Sequence, residues 1–456
     1  MSDSKNSALG TENVGRLLFR LAIPAVTAQI VNVLYNMVDR VYVGRIPEVG
    51  TQALTGLGVC MPLILIISAF AALVGSGGAP RASIMMGKGE HEEAEKVLGN
   101  CTTALIIVSI ILTALFFVFA EPMLLMFGAS ENTIQYAVGY IHIYTLGTVF
   151  VQLALGLNAF ISAQGFAKTS MMSILIGAVC NIILDPIFIF GFKMGVQGAA
   201  LATIISQGIS AVWILRFLTG TKSLIKIRRK NLRPSMKVIL PCFALGLSPF
   251  IMQSTESVLF ICFNSSLLKY GGDLAVGAMT ILSTVMQFSM LPLAGLTQGA
   301  QPIIGYNFGA RCADRVKKAF KLELITALIY TTALWMLVML FPQMFARIFT
   351  TDTELISYAA WALRIYMGVS LLMGIQIVCQ MTFIAVGNAK TSLFLAVLRK
   401  IILLIPLIYI LPRFVSNHVM GVFLAEPVAD IIAVTTTLIL FINQFKKAIK
   451  SLEMPS

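Results

Sequence analysis

A chain of 456 residues that is 58% hydrophobic and 12% charged, with a mean hydropathy of +0.89, lies beyond the range of soluble globular domains and reads as a polytopic membrane protein. A net charge of +13 would suggest nucleic acid in a soluble protein, but the lysines and arginines flanking membrane spans account for it here, and no nucleic-acid partner is expected. The seven cysteines, Cys60, Cys101, Cys180, Cys242, Cys262, Cys312 and Cys379, have no C-x-x-C or metal-like spacing, which leaves them as small packing residues.

The polar start "MSDSKNSALGTENVGRLLFR" leads into a long, proline-containing apolar segment with no small-residue cleavage site after it, so no cleavable signal peptide is expected. Runs long enough to cross ~30 Å of hydrocarbon, about 20 residues each, follow near 17–44, 52–81, 94–120, 131–160, 167–191, 196–219, 238–269, 274–305, 316–342, 354–384, 390–412 and 419–444. They predict an all-α integral membrane protein with twelve transmembrane helices. With the N-terminus in the cytoplasm, the inner segments gather most of the basic residues, from Lys5, Arg16 and Arg20 through the run 222–237 to Lys317, Arg399, Lys400 and Lys446. The outer segments hold only Arg45, Lys193, Lys269, Arg347 and Arg413. This positive-inside bias predicts a multi-pass protein of the cell membrane with both termini cytoplasmic.

The chain repeats itself. "AQGFAKTS" at 163–170 recurs as "AVGNAKTS" at 385–392, an offset of 222 residues, and the same offset carries Pro80 and Gly87 onto Pro302 and Gly309. "MGVQGAALA" at 194 recurs as "MGVFLAEPV" at 420, and Pro24 matches Pro249 with a small drift. Six helices per copy is an even number, so both copies enter the membrane from the same side and the two repeats are parallel, with a central cavity between lobes. The expected division is an N-lobe over 1–220, a basic cytoplasmic linker over 221–237, a C-lobe over 238–445 and a cytoplasmic tail over 446–456. "TKSLIKIRRKNLRPSMK", which has no acid, is read as that linker rather than as a nucleic-acid or anionic-lipid site.

An ionisable group at mid-bilayer costs roughly 2.5–3.5 kcal/mol on insertion scales, so the few that remain point to function. They are Asp39, Asp185, Glu256, Glu426 and Asp430. Tyr35 and Asp39, Asn181 and Asp185, Thr203 and Gln207, and Asn158 and Ser162 all stand four apart, on one helix face each. These four pairs are expected to converge on one wet pocket in the N-lobe. Pro186 has no amide hydrogen for the Ile182 carbonyl, which adds an oxygen that suits a cation. At the 222 offset Asn181 and Asp185 become Leu403 and Leu407, so the lobes have diverged in function. Glu256 is expected to face a substrate or an ion, while Glu426 and Asp430 beside Pro427 are left between a structural and a functional reading.

Other signals stay bland. His142 reads as a hydrogen-bonded core histidine, "HEEAE" at 91–95 lacks the second histidine of a zincin and reads as a solvated inner loop, and "GSGGAP" lacks the G-K-[ST] of a P-loop. No nucleophile–base or metal constellation points to an enzyme, and no cofactor is expected beyond a transported ion.

The segments "YNMVDRVYVGR", "NIILDPIFIFGFKMGVQGAALATIISQ" and "GVFLAEPVAD", on two parallel six-helix copies, together resemble the multidrug and toxic compound extrusion (MATE) family, bacterial type, over nearly the whole chain. The resemblance implies an N-lobe cation site at Asp39, Asn181 and Asp185, the ligands of Na⁺ if sodium is the coupling ion, with Tyr35, Asn158 and Thr203 around it. It implies a secondary active antiporter that exports cationic amphipathic drugs in exchange for inward H⁺ or Na⁺ by rocking of its lobes, one chain working as a monomer. Substrate contacts are expected from Asp39, Asp185, Glu256, Gln207, Gln376 and Gln380. The NorM branch pairs a seventh-helix glutamate with a tenth-helix aspartate. Glu256 fits the first role, but the tenth span has no acid, only Gln376 and Gln380. The alternative is a flippase or exporter of lipid-linked precursors. It is disfavoured because a pyrophosphate headgroup wants cavity arginines, and the intramembrane bases are read as only Arg40, Arg216 and Arg364.

Overall fold

The computed structural model describes residues 8–453, which are largely helical with no strand among them. Lys5 and the last three residues of the expected tail, 454–456, lie outside the described residues. Among the described residues nine helices are long and apolar enough to cross a membrane, and two further pairs qualify together across bends of 59° and 48°. The 74-residue helix Met236–Gly309 turns back at Gly272, whose φ of 63° only glycine adopts cheaply, and so makes two spans. The twelve expected crossings are all present. In chain order they are Val14–Gly44, Gly50–Lys88, His91–Met126, the bent pair Ile134–Leu146 and Thr148–Ala163, Ala167–Gly191, Val196–Thr219, the two arms of Met236–Gly309, Ala313–Leu340, the bent pair Thr353–Tyr366 and Ser370–Ala385, Ala389–Arg413, and His418–Glu453.

The apolar cores show how the halves meet. One buried cluster, from Val43 to Ala200, draws only on the first half, and another, from Leu259 to Ala429, only on the second. The largest cluster combines both, joining Leu17, Val74 and Leu98 to Ile239, Ile303 and Val316. The halves are thus separate at one end and share a core at the other, the end that carries the basic linker.

The shared end is built on the repeat. A methyl on Gly87 would overlap the carbonyl of Tyr306, and one on Gly309 would overlap the carbonyl of Ile84. Both the glycines and the carbonyls are related by the 222-residue offset, so the second and eighth spans cross at the axis that relates the copies. Ser83 Oγ donates to the Pro302 carbonyl at 3.2 Å in the same crossing. The chain start ties this end down. Asn307 Nδ2 donates to the Leu9 carbonyl at 2.9 Å, and Arg315 Nη2 donates to the carbonyls of Leu9 and Glu12 at 3.0 and 2.8 Å. Over-filling so tight a contact costs typically 1–3 kcal/mol. Gly87→Val is therefore expected to leave a folded protein that cannot close this end and in which the export implied by the resemblance falls at least about tenfold; undiminished export would show that the crossing need not form.

The linker is docked to the first half. Gln164 Oε1 accepts from the amides of Leu224 and Ile225 at 2.7 and 3.3 Å, and Asn100 Oδ1 accepts from Ser235 N at 2.6 Å. Glu95 corrects the sequence reading of "HEEAE" as a solvated loop, because it is buried, accepts from Lys226 N at 3.2 Å and pairs with Arg228 Nε at 2.5 Å. A carboxylate under a basic segment is neutralised by it, which is why a charged residue can sit in this interior.

Candidate ion-coupling and substrate site

The first and fifth spans pack against each other, and each presents a polar pair spaced by one turn. The carboxyl groups of Asp39 and Asp185 adjoin. Asn181 Nδ2 donates to Asp185 Oδ1 at 3.2 Å and to Thr203 Oγ1 at 3.4 Å, and the Thr203 hydroxyl donates to the Ala199 carbonyl at 2.9 Å. The Tyr35 hydroxyl lies beside Gln207. Three of the four expected pairs therefore converge.

After these bonds, three buried oxygens have no N–H or O–H donor among the described residues: Asp39 Oδ1, Asn181 Oδ1 and Asp185 Oδ2. Leaving a buried acceptor unsatisfied costs about 1–3 kcal/mol, more when it is charged, so three together call for a positive occupant. A proton on either carboxyl would serve, and so would a small hard cation. Among the described residues no three His, Cys, Asp or Glu side chains are grouped to hold a metal ion, so sodium would need the Asn181 amide and backbone oxygens as well. Beyond Pro186 the helix continues as a π-turn over Ile187–Gly191, with the Ile187 amide donating to the Leu184 carbonyl.

Asn158 does not join this cluster, contrary to expectation. Its amide donates to the Ser170 carbonyl at 3.4 Å and accepts from Ser173 Oγ at 3.1 Å, while Ser162 donates to Ser170 Oγ at 2.9 Å. The fourth pair thus belongs to a separate network of hydroxyls on the fifth span.

Between the halves lies a cavity of about 1730 Å³, lined by Tyr35, Asn181, Thr203 and Gln207 on one side and Met252, Glu256, Gln376 and Gln380 on the other. It reaches Phe127 and Asp273, at the end away from the basic linker. Asp39 and Asp185 do not line it. They sit behind the wall, so the substrate contacts expected of them are not made in this conformation. Gln380 Nε2 donates to Ser248 Oγ at 3.0 Å, and Gln376 Oε1 accepts from Thr437 at 2.7 Å while its Nε2 has no partner.

The second half corrects the sequence reading most. Arg399 and Lys400, counted there among cytoplasmic loop residues, lie in the eleventh span on the cavity wall. Arg399 Nε donates to Asp430 Oδ1 at 2.7 Å and its Nη2 to Glu426 Oε1 at 2.8 Å, a buried triad. Lys400 Nζ pairs with Glu256 Oε1 at 2.6 Å, the lysine side chain 9% exposed and the glutamate 55%. Glu426 and Asp430 hold an arginine, and Glu256 is not a free carboxylate. The signal was in the sequence: two acids one turn apart in a membrane helix need a buried cation, and the nearest bases on a facing span are in "LRKIILLIP".

The MatE family model matches residues 24–187 and again 249–410, once in each repeat. The chain belongs to the MatE family. It is a multi-pass membrane protein. Its relatives include the multidrug export protein MepA of Staphylococcus haemolyticus (strain JCSC1435), 24% identical and covering 95% of both chains, and that of Staphylococcus aureus (strain MSSA476), 25% identical over 87% of each. Among solved structures, the MATE multidrug transporter DinF-BH is 35% identical, with a TM-score of 0.87 over 95% of this chain and 97% of that one. A MOP superfamily transporter from Pyrococcus furiosus, described as having a binding pocket of reversed polarity, shares the fold at 22% identity and a TM-score of 0.89, covering 99% of both chains.

Proposed function

We propose that this MatE-family chain is a secondary active antiporter that exports lipophilic cations in exchange for inward H⁺ or Na⁺. The observation that carries the reading is the pair of adjoining carboxyl groups, Asp39 and Asp185, whose unpartnered oxygens stand one layer behind a large cavity wall. The names of the curated relatives, multidrug export proteins, support the substrate class.

With the basic linker and both termini in the cytoplasm, the shared core closes the cytoplasmic end and the cavity opens outward. In this state a coupling ion enters and settles on Asp39 and Asp185. Its charge offsets two carboxylates behind Tyr35, Asn181 and Thr203, so a lipophilic cation on the wall loses its attraction and leaves. The same competition, read in reverse, has the cation expel the ion when the lobes rock and the cavity faces the cytoplasm. The membrane potential supplies about 2.3 kcal/mol per charge per 100 mV, besides any concentration gradient. One chain supplies both lobes, so the working unit is the monomer.

Arg399 and Lys400 enlarge the basic inventory that a lipid pyrophosphate would need, yet both are spent on Glu426, Asp430 and Glu256, and the cation reading stands ahead. The test is efflux of ethidium from proteoliposomes under an imposed pH gradient and, separately, an imposed Na⁺ gradient. Export driven by one of them is expected; ethidium retained under both would reject the antiporter reading.

A further inference from the structure

We propose that the Lys400–Glu256 pair is a two-headed subsite that selects zwitterionic amphiphiles, the substrate's anionic group taking Lys400 and its cationic centre taking Glu256. The proposal rests on the antiporter reading and specifies what the C-lobe wall recognises.

The two ion pairs of the C-lobe differ in a way that decides which can exchange. Arg399 is held by two carboxylates on one turn of the last span, with every charged partner nearly enclosed. Lys400 pairs with a single carboxylate, and that partner is more than half exposed to the cavity. An ammonium carries three donors, so Lys400 keeps capacity for a second acceptor arriving from the cavity. Its position is also particular to this half. At the 222-residue offset Arg399 and Lys400 replace Gly177 and Ala178, which line the N-lobe wall without charge. The cavity is thus charged by buried acids behind one wall and by an openable ion pair on the other.

Charge balance then sets the preference. A monocation that takes Glu256 leaves Lys400 enclosed without a counter-ion, the costly way to break a buried pair. A monoanion that takes Lys400 releases Glu256 facing the N-lobe carboxylates. A zwitterion exchanges one ion pair for two and strands nothing. The apolar and methionine-bearing wall around the pair, Met252 and Met373 among its residues, suits a flat aromatic body of variable shape.

The test uses one dye in two charge forms, tetramethylrhodamine methyl ester, a monocation, and tetramethylrhodamine free acid, a zwitterion at neutral pH, bound to the purified full-length protein and followed by fluorescence anisotropy. Lys400→Gln is expected to weaken the free acid about tenfold and to strengthen the ester, because Glu256 is then free. Glu256→Gln is expected to weaken the ester and to spare the acid, since Lys400 is left for the carboxylate. Lys400→Arg, which keeps the charge, should retain the unmodified ratio of affinities. Parallel changes of both dyes in both variants, as a merely structural role would give, or no change in either, overturn the proposal while leaving the antiporter reading intact. An unmodified protein that binds the ester as tightly as the free acid also overturns the proposal, and failure to bind either dye overturns both readings.

Discussion

Asp39→Asn and Asp185→Asn are each expected to abolish ion-driven export, at least about a hundredfold in initial rate, while the protein stays folded and still binds a lipophilic cation. The substitutions are nearly isosteric, so the packing of the first and fifth spans is kept. What changes is the capacity to hold a positive occupant. An amide cannot ionise, and its NH₂ supplies a donor to the neighbouring unpartnered oxygens, Asn181 Oδ1 among them, filling internally the demand that an incoming ion would meet. Because neither carboxyl lines the cavity, the dye-binding surface is expected to remain, its affinity for a cation lowered by the lost negative charge but not abolished. Gradient-driven efflux measured beside equilibrium dye binding separates the two roles. Undiminished efflux from both variants would remove the coupling assignment.

The second large effect concerns the closed end. Cys101 of the third span and Cys242 of the seventh belong to opposite halves, and their thiols are neighbours, the Cys242 thiol donating to the Val238 carbonyl at 3.2 Å. Consecutive glycines of the second span make room for them, Gly77 against the Cys242 backbone and Gly78 against Cys101 Sγ. Copper–phenanthroline oxidation of membranes is expected to join the two sulfurs, hold the halves together at this end and stop transport, a loss of at least about tenfold that dithiothreitol reverses and Cys101→Ser prevents. Mass spectrometry of the linked peptides reports the bond. Transport at full rate in a protein shown to be cross-linked would rule out the rocking motion. Both thiols are fully buried here, so the reaction should be fastest when turnover exposes them.

The twelve spans were legible because hydropathy sets them and nothing in the packing competes with a 20-residue apolar run. The duplication was legible from a constant offset, and the crossing of the second and eighth spans explains which of its positions had stayed alike: Gly87 and Gly309 meet carbonyls that are themselves duplicates. The N-lobe cluster was legible because its pairs are local, one turn apart on a single helix. What the sequence hid was long-range. Asn158 has the right spacing but spends its amide on Ser170 and Ser173, a choice made by the rotation of the fourth span against the fifth. Arg399 and Lys400 were misplaced because charge in a membrane protein is read as a loop marker, whereas here their partners come from other spans, Glu426 and Asp430 from the last and Glu256 from the seventh, 144 residues away in sequence. Glu95 was missed for the same reason, its counter-charge lying in the distant linker.

The crossing at Gly87 and Gly309 has a last consequence. At the two glycines it presents bare backbone to backbone, so at those contacts no side chain has to be drawn from a socket when the surfaces part. Opening there exposes a strip of carbonyl oxygens that water welcomes, and this wetting lowers the cost of parting halves whose shared apolar core must open as well.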